Sequence, residues 1–181
     1  MGIVEKFSTG ASVRRLEDER FVTGQGQYTD DVNIDGQVYM VVVRSPFAHA
    51  IIKSINTDDV KDADGVLGVY TGADFVAAGG ANKMPYAIVG QESAKPDRTI
   101  LADGRVRFAG EPVAIIVAET QAQAEEASEL IDVDYDILDA VTDIESAIAP
   151  DAPLVHDDAP GNIAFRWRGQ GDDAQMEQIL S

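Results

Sequence analysis

The fold is decided by residues 106–138, which read VRFAGEPVAIIVAETQAQAEEASELIDVDYDIL. Residues 113–118 are continuously apolar, as is typical of a strand covered on both faces. Thr120, followed three residues later by Gln123, predicts a capped helix start. In residues 131–137 apolar and acidic side chains alternate, which predicts a second strand with one packed face and one wet face. The stretch therefore predicts a βαβ unit with a right-handed crossover.

Prolines indicate where the other strands begin and end. A β-branched and aromatic run at residues 38–43 predicts a strand that ends before Pro46, and residues 50–55 predict the next strand. Because proline cannot donate to a ladder, Pro112 is expected at the first position of the strand that follows it. Three further elements are expected: a strand at residues 65–71 and short helices at residues 58–63 and 72–76.

The chain is expected to have three parts. Residues 1–37 are polar and broken by glycines, which predicts an extended N-terminal arm with short strands. Residues 38–140 form the predicted α/β core, of the α+β kind, with a small mixed sheet and a few short helices. Residues 141–148 predict a helical turn. The rest of residues 141–181 is rich in Pro and Asp, which predicts an extended C-terminal tail with one late strand at residues 162–168. The 77–99 loop has no sustained period, and loops of that length are usually functional or disordered.

Composition excludes several classes of function. The 181-residue chain contains no Cys, which excludes disulfides, thiolate metal sites, a cysteine nucleophile and an iron–sulfur cluster held by this chain. Its 32 acidic and 14 basic residues give a net charge of −18, which argues against binding to nucleic acid or to an anionic membrane. No stretch approaches a membrane span and the first ten residues lack a signal pattern, so a cytoplasmic protein is expected.

Two patterns resemble known motifs and fail at diagnostic positions. Asp132, Asp134 and Asp136 open like a calcium loop, but the Gly and Glu that such a loop needs are replaced by Ile137 and Asp143. Alternation in a strand explains the same spacing. Residues 24–26 read Gly-Gln-Gly, but they lack the strand-to-helix turn of a dinucleotide-binding fingerprint. They are therefore predicted to form an ordinary turn.

Other reactive side chains are isolated in the sequence. His49 and His156 lack the spacing of a zinc site, and structural or surface roles are simpler. Glu111, at a strand entrance, is a candidate acid or base, but it is a single carboxylate without a perturbing partner in the sequence. Ser45 and Ser128 lack a nucleophile elbow, and Phe165 to Arg168 is explained by packing with a charged edge. The sequence predicts no catalytic, cofactor-binding or metal-binding residue.

Short motifs between residues 44 and 138 carry a family resemblance. They are Arg44-Ser45-Pro46, Ala48-His49-Ala50-Ile51, Gly65-Val66, Val69-Tyr70-Thr71-Gly72, Val106-Arg107-Phe108, Gly110-Glu111-Pro112-Val113-Ala114, and Val133-Asp134-Tyr135 with Leu138. In this joint order they resemble the α/β-hammerhead domain that opens the molybdenum subunit of xanthine dehydrogenases, aldehyde oxidases and aerobic carbon monoxide dehydrogenases. The arm before them, at Gly10 to Arg15, Thr23-Gly24 and Tyr28 to Asp31, looks like the lead-in of the carbon monoxide dehydrogenase large chain. The pairs Gly161-Asn162 and Gly171-Asp172 resemble the family's exit from the domain.

The resemblance implies an oxidoreductase with molybdenum-molybdopterin, together with iron–sulfur and FAD subunits as partners. It implies that the catalytic residues lie in segments beyond this domain, so the chain is expected to be an inactive N-terminal fragment with a structural and subunit-contact role. Two alternatives stay open: a stand-alone binding or interaction module that reuses the fold, and a small independent enzyme. The substrate of the parent enzyme is not given by the sequence, and the arms leave a homo-oligomer open.

Overall fold

The computed structural model describes residues 15–85, 94–166 and 173–180. The chain divides into two compact units, with the boundary between Gln37 and Val38. In the first unit, helix α1 spans Asp18–Val22 and a 3₁₀ turn spans Thr29–Asp31. In the second unit, the strands are β1 Tyr39–Arg44, β2 Ala50–Asn56, β3 Val66–Thr71, β4 Arg105–Val106, β5 Pro112–Ala118 and β6 Asp132–Ile137. Its helices are α2 Asp58–Lys61, α3 Gly72–Ala77, α4 Gln121–Ser128, α5 Ile144–Ala147 and α6 Asp173–Leu180, with a 3₁₀ turn at Pro160–Asn162.

The prediction of short strands in the N-terminal arm is wrong for residues 15–37. Asp18 and Glu19 stand in the first turn of α1, where negative charge is favourable, and Arg20 stands near its end. Gly24 follows the helix with a φ of +74°, so the Gly-Gln-Gly sequence is part of a turn as expected.

The strands of the second unit form two three-stranded antiparallel sheets. The first sheet has the order β1-β5-β3 and the second has the order β4-β2-β6. The α/β fold class is confirmed, as are the boundaries set by Pro46 and Pro112.

The expected crossover within one sheet is wrong. β5 is already paired on both edges, by β1 and by β3, so the chain that leaves α4 has no free edge beside it. β6 pairs instead with β2 of the second sheet, for example Tyr135 opposite Ile52. The predicted order of strand, helix and strand is therefore present, but its two strands lie in different sheets.

Three helices of the second unit begin at a side-chain cap, and the cap at Thr120 is the one that the sequence predicts. The Thr120 side chain accepts a hydrogen bond from the Gln123 N–H at the start of α4. Thr71 caps α3 in the same way through the Asp74 N–H, and Asp143 caps α5 through the Ser146 N–H. Each cap satisfies a backbone donor that the helix itself leaves free.

Each sheet has its own apolar cluster. Val60, Val69, Ile116 and Ala127 form the cluster under the first sheet. Ala50, Ala102, Val106 and Val113 form the cluster of the second, joined by half-buried aromatic and β-branched side chains. β5 contributes to both clusters, because Val113 and Ile116 of the same strand are fully buried in different ones.

The C-terminal tail is less extended than predicted. α5 matches the expected helical turn near residue 144, whereas α6 at Asp173–Leu180 is a helix that the prediction of an extended tail missed. Its sequence contains no proline or glycine and several good helix formers, which accounts for it. The predicted late strand is reduced to a bridge at Phe165, and residues 167 and 168 lie outside the described part. In the 77–99 loop, residues 78–85 and 94–99 contain neither helix nor strand, and residues 86–93 lie outside the described residues.

Candidate functional site

A cleft of 580 Å³ lies in the second unit beside the C-terminal end of β1 and the start of β5. Residues 96–100 form one wall, and residues 107, 108, 111 and 112 form another. Arg44, Met84, His156 and Ala164 complete the lining. The cleft thus joins segments that are more than one hundred positions apart in the chain.

A backbone joint between the end of β1 and the turn before β5 lies next to the cleft, since Arg44 and Glu111 belong to both. The Gly110 N–H donates to the Ser45 carbonyl over 2.8 Å, and the Ser45 N–H donates to the Glu111 carbonyl over 2.9 Å. Arg44 Nη1 donates to the Gly110 carbonyl over 2.9 Å. Gly110 has a φ of +88°, a conformation that favours glycine. Two of the sequence motifs that carry the family resemblance therefore meet in one structural joint.

Glu111 acts as an internal acceptor in this joint. Its side chain is buried, with 6% of the residue exposed, and Oε2 accepts a hydrogen bond from the Arg107 N–H. A buried carboxylate needs such a donor, because leaving it unpaired would be costly. Glu111 therefore fixes the backbone of Arg107, which is the simplest account of a carboxylate that the sequence left open as an acid or base.

The cleft is rich in positive charge for so acidic a chain. Arg44, Arg98 and Arg107 all line it, and within residues 15–85, 94–166 and 173–180 none of the three forms an ion pair with a carboxylate. Asp97, which also lines the cleft, is paired with Lys83.

Two buried polar atoms of the cleft have no hydrogen-bond partner in the described part of the chain. They are the Thr99 hydroxyl oxygen and Arg107 Nε. The Arg107 guanidinium makes one hydrogen bond, from Nη1 to the Arg105 carbonyl over 3.3 Å. Unpaired buried polar groups are rare, since each costs about 1–3 kcal/mol of desolvation.

His156 faces the same charges. Burial lowers the pKa of its imidazole, and the positive charge of Arg107 lowers it further. Arg105 also lowers the pKa, whereas Asp157 and Asp158 oppose the shift. The imidazole therefore loses its proton more readily than an exposed histidine does.

The other residues weighed in the sequence do not meet at a reactive centre. His49 is buried and its Nδ1 lies 2.8 Å from the Asp139 carbonyl, an arrangement that fixes the ring against the end of β6. Ser45 Oγ bonds the backbone of Phe47, and Ser128 Oγ donates to the Glu125 carbonyl within α4.

The aspartates of β6 form a solvated face, as the alternation predicts. Asp132, Asp134 and Asp136 are all exposed. Among the described residues there is no group of three or more His, Cys, Asp or Glu side chains that could hold a metal ion. Phe165 and Arg166 are exposed, and the remainder of that aromatic and basic cluster lies outside the described residues.

No local pattern identifies the cleft in the sequence. Arg98 and Thr99 belong to a loop without periodicity, and His156 stands in a Pro-rich and Asp-rich segment. The available signal was that Arg44 and Arg107 each stand inside a motif of the family resemblance. In the part of the chain that the structure describes, no helix is long and apolar enough to cross a membrane.

Residues 23–139 match the family described as "Aldehyde oxidase and xanthine dehydrogenase, a/b hammerhead domain". This match covers more than half of the chain and includes all six strands. The chain belongs to this hammerhead-domain family. The resemblance predicted from the motifs is therefore confirmed, and the two sheets of the second unit are those of a hammerhead domain.

Individual relatives agree with the family. The hammerhead chain is 37% identical over 177 residues to the nicotine 6-hydroxylase large subunit of Paenarthrobacter nicotinovorans, covering 95% of this chain and 21% of that protein. It is 40% identical over 180 residues to the carbon monoxide dehydrogenase large chain of Afipia carboxidovorans, covering 91% of this chain and 21% of that one. A solved structure of the Cu,Mo-CO dehydrogenase superposes with a TM-score of 0.74 at 33% identity, covering 94% of this chain and 22% of that chain. The chain thus spans about a fifth of the length of these relatives.

Proposed function

We propose that the chain serves as the hammerhead part of a molybdenum hydroxylase large subunit, at its N-terminal end. In this role it is a scaffold that contacts the rest of the enzyme, and the reacting centre is carried by sequence outside it. Two facts support the proposal: the family to which residues 23–139 belong, and the large subunits among the relatives.

The observation that carries the contact role is an open apolar face on the first sheet. Antiparallel register places Met40, Val117 and Gly68 in one row across the sheet. Val42, Ile115 and Tyr70 form the next row on the same face, because residues two apart in a strand share a face. We call this surface, formed by Met40, Val42, Tyr70, Ile115 and Val117, the open face.

The open face remains in contact with solvent. Met40 is 57% exposed and Tyr70 is 50% exposed. The opposite face of the same sheet carries Val69 and Ile116, both buried in the first apolar cluster. Contiguous exposed apolar side chains commonly indicate a protein interface, whereas single ones do not. The open face is therefore the surface on which we expect the remainder of the large subunit to pack.

The proposed enzyme uses molybdenum-molybdopterin together with iron–sulfur and FAD subunits. This chain offers no Cys as a metal ligand, and its described residues contain no group of three or more His, Cys, Asp or Glu side chains, so the proposal leaves the cofactor to the rest of the subunit. No oxidation step is therefore assigned to this chain. Its proposed partners are the remaining domains of the molybdenum subunit, the iron–sulfur subunit and the flavin subunit. We further propose a cytoplasmic location, and a capacity for self-association when those partners are absent.

The test begins with the purified chain alone. Elemental and pterin analysis should find neither molybdenum nor molybdopterin, and mixtures with aldehydes or purines should show no turnover. A stoichiometric metal content, or robust turnover by the chain alone, would contradict the proposal and favour an independent enzyme.

A second arm separates the scaffold from a stand-alone module. The tagged chain is co-expressed with the rest of a molybdenum hydroxylase, and the eluate is examined for the iron–sulfur and flavin subunits. Their recovery supports the proposal. A chain that stays alone in the same experiment favours the stand-alone interaction module.

A further inference from the structure

The cleft beside Arg107 has a feature that a structural joint does not require. Arg107 Nε and the Thr99 hydroxyl are both buried, both without a partner in the described residues, and both belong to residues that line the same cavity. Both atoms are closed to water-sized molecules, so a ligand in the cleft would pair with the terminal nitrogens of the Arg107 guanidinium, which only donate hydrogen bonds.

The charged residues of the cleft favour a ligand group that carries negative charge. Arg98 and Arg107 have no ion-pair partner among the described residues, and the carboxylate of Asp97 is engaged by Lys83. Glu111 also lines the cleft, but one of its oxygens is engaged by the Arg107 N–H. Guanidinium groups in a partly buried site favour a planar oxyanion, which they bind through paired N–H donors.

Several other residues that line the cleft are apolar, so they favour a ligand whose remaining part is apolar. Met84, Ile100, Phe108 and Pro112 line the same cavity, and its volume of 580 Å³ lies within the range of small-molecule pockets. We propose that this cleft binds a carboxylate carried on an apolar body, with Arg98 and Arg107 as its charge partners. The cleft itself is argued without the proposed function, and only the second source of the carboxylate named below rests on it.

The carboxylate has two sources that share this chemistry. One is a free organic acid, and the other is an acidic side chain of a neighbouring domain in the complete subunit. The experiment has an arm for each.

The two histidines of the chain provide the readout. A bound anion favours the imidazolium form, so it raises the pKa of His156 in a setting that also contains Arg105, Arg107, Asp157 and Asp158. His49 is held at the Asp139 carbonyl and does not line the cleft, which makes it an internal control. Both rings can be followed in one proton NMR titration because the chain has only 2 histidines.

The titration compares benzoate with benzamide, its neutral counterpart. Benzoate should give a saturable shift of the His156 signal and raise its titration midpoint, while the His49 signal stays in place. Benzamide should bind at least about tenfold more weakly, because it lacks the charge that the guanidinium groups select. Equal responses to the two compounds, or no saturation with benzoate at millimolar concentrations, would overturn the proposal.

Variants locate the site. Arg98→Gln and Arg107→Gln should each weaken benzoate binding about tenfold, since each removes a charged donor. Arg166→Gln removes an exposed arginine outside the cleft and should leave the affinity unchanged. Because Arg98 is exposed, its replacement tests the site even if the Arg107 variant fails to fold. Unchanged benzoate affinity in the Arg98 variant would contradict the assignment.

The same titration in a complete large subunit separates the two sources. Retained benzoate binding assigns the cleft to a free acid. Loss of benzoate binding, together with a His156 midpoint already raised and restored to the lower value by Arg98→Gln, assigns it to a protein carboxylate. If the complete subunit neither binds benzoate nor shows the raised midpoint, the proposal is wrong for the assembled protein. This last outcome would leave the scaffold role untouched.

Discussion

The two sheets of the second unit differ in how their outer faces are completed. In the first sheet, β1, β3 and β5 are apolar on both faces, and the face away from the core exposes Met40 and Tyr70. In the second sheet, β6 alternates, so that Val133 and Tyr135 pack inward while Asp132, Asp134 and Asp136 face water. The aspartate-bearing face of β6 is therefore solvated, whereas the first sheet presents a contiguous apolar surface suited to another protein segment.

This difference shows which property of a strand reveals an interface. Alternation places polar side chains on one face and indicates that the face is solvated. A strand that is apolar on both faces needs two covers. α2 and α4 cover one face of β5 through Val60 and Ala127. We propose that the remainder of the large subunit covers the other face.

The largest expected effect contrasts neighbouring residues of β5. Ile116 is fully buried, so Ile116→Ala should lower the free energy of unfolding by about 2–5 kcal/mol. Ile115 points to the open face and is only half-buried, so Ile115→Ala should cost roughly 1 kcal/mol. Chemical denaturation of both variants measures the contrast. Equal losses would mean that the two faces of the first sheet are covered alike.

A smaller effect concerns the helix that covers the first sheet. Thr120→Ala removes the side-chain cap of α4 and should destabilise the chain by about 1 kcal/mol. Thr142→Ala, an exposed threonine without a capping bond, is the matched control and should change stability by less than about 0.5 kcal/mol. If the two variants have the same free energy of unfolding, the Thr120 cap does not stabilise α4 on the sheet.

The smallest expected effect is a pH dependence at the start of α3, which follows β3 of the first sheet. Hydrogen bonds from the Thr71 hydroxyl and N–H hold the pKa of Asp74 below its ordinary value of 3.8. A carboxyl with a lowered folded-state pKa adds stability above the unfolded pKa and loses it as the pH falls toward the folded value. The advantage of the unaltered chain over Asp74→Asn should therefore be constant above about pH 5 and shrink as the pH falls below about 4.

Denaturation curves of both proteins across this range check the prediction. Because many other carboxylates titrate in the same range, only the difference between the two proteins is informative. A difference that does not change with pH would show that the Thr71 bonds are equally good to an amide.

Much of the fold could be predicted because its signals are local. Pro46 and Pro112 set strand boundaries through geometry that belongs to proline alone, and Thr120 with Gln123 sets a helix start. The assignment of β5 and β6 to different sheets is not local. It depends on β1 and β3, which pair with the two edges of β5, and the sequence of residues 106–138 contains no signal of that pairing.

The cleft was less predictable for the same reason. Arg44 and Arg107 stand in recognisable motifs, but their proximity depends on the hydrogen bonds of the Ser45 and Gly110 backbone. His156 reaches the cleft from a tail segment that carries no periodic signal. Glu111 is unusual in the sequence as a carboxylate at a strand entrance, and only the structure shows that it bonds a backbone N–H.

Assembly of a large subunit that carries this chain tests the scaffold role most directly. Met40→Glu places a charge on the open face, while Ile137→Glu places one on an exposed apolar residue of the second sheet. Both residues are largely exposed, so each isolated chain should unfold within about 0.5 kcal/mol of the unaltered one. Size-exclusion chromatography with mass detection should show that Met40→Glu lowers the yield of assembled enzyme about tenfold and that Ile137→Glu leaves it unchanged, since a buried unpaired charge is costly at an interface. Full assembly of the Met40→Glu enzyme would contradict the account.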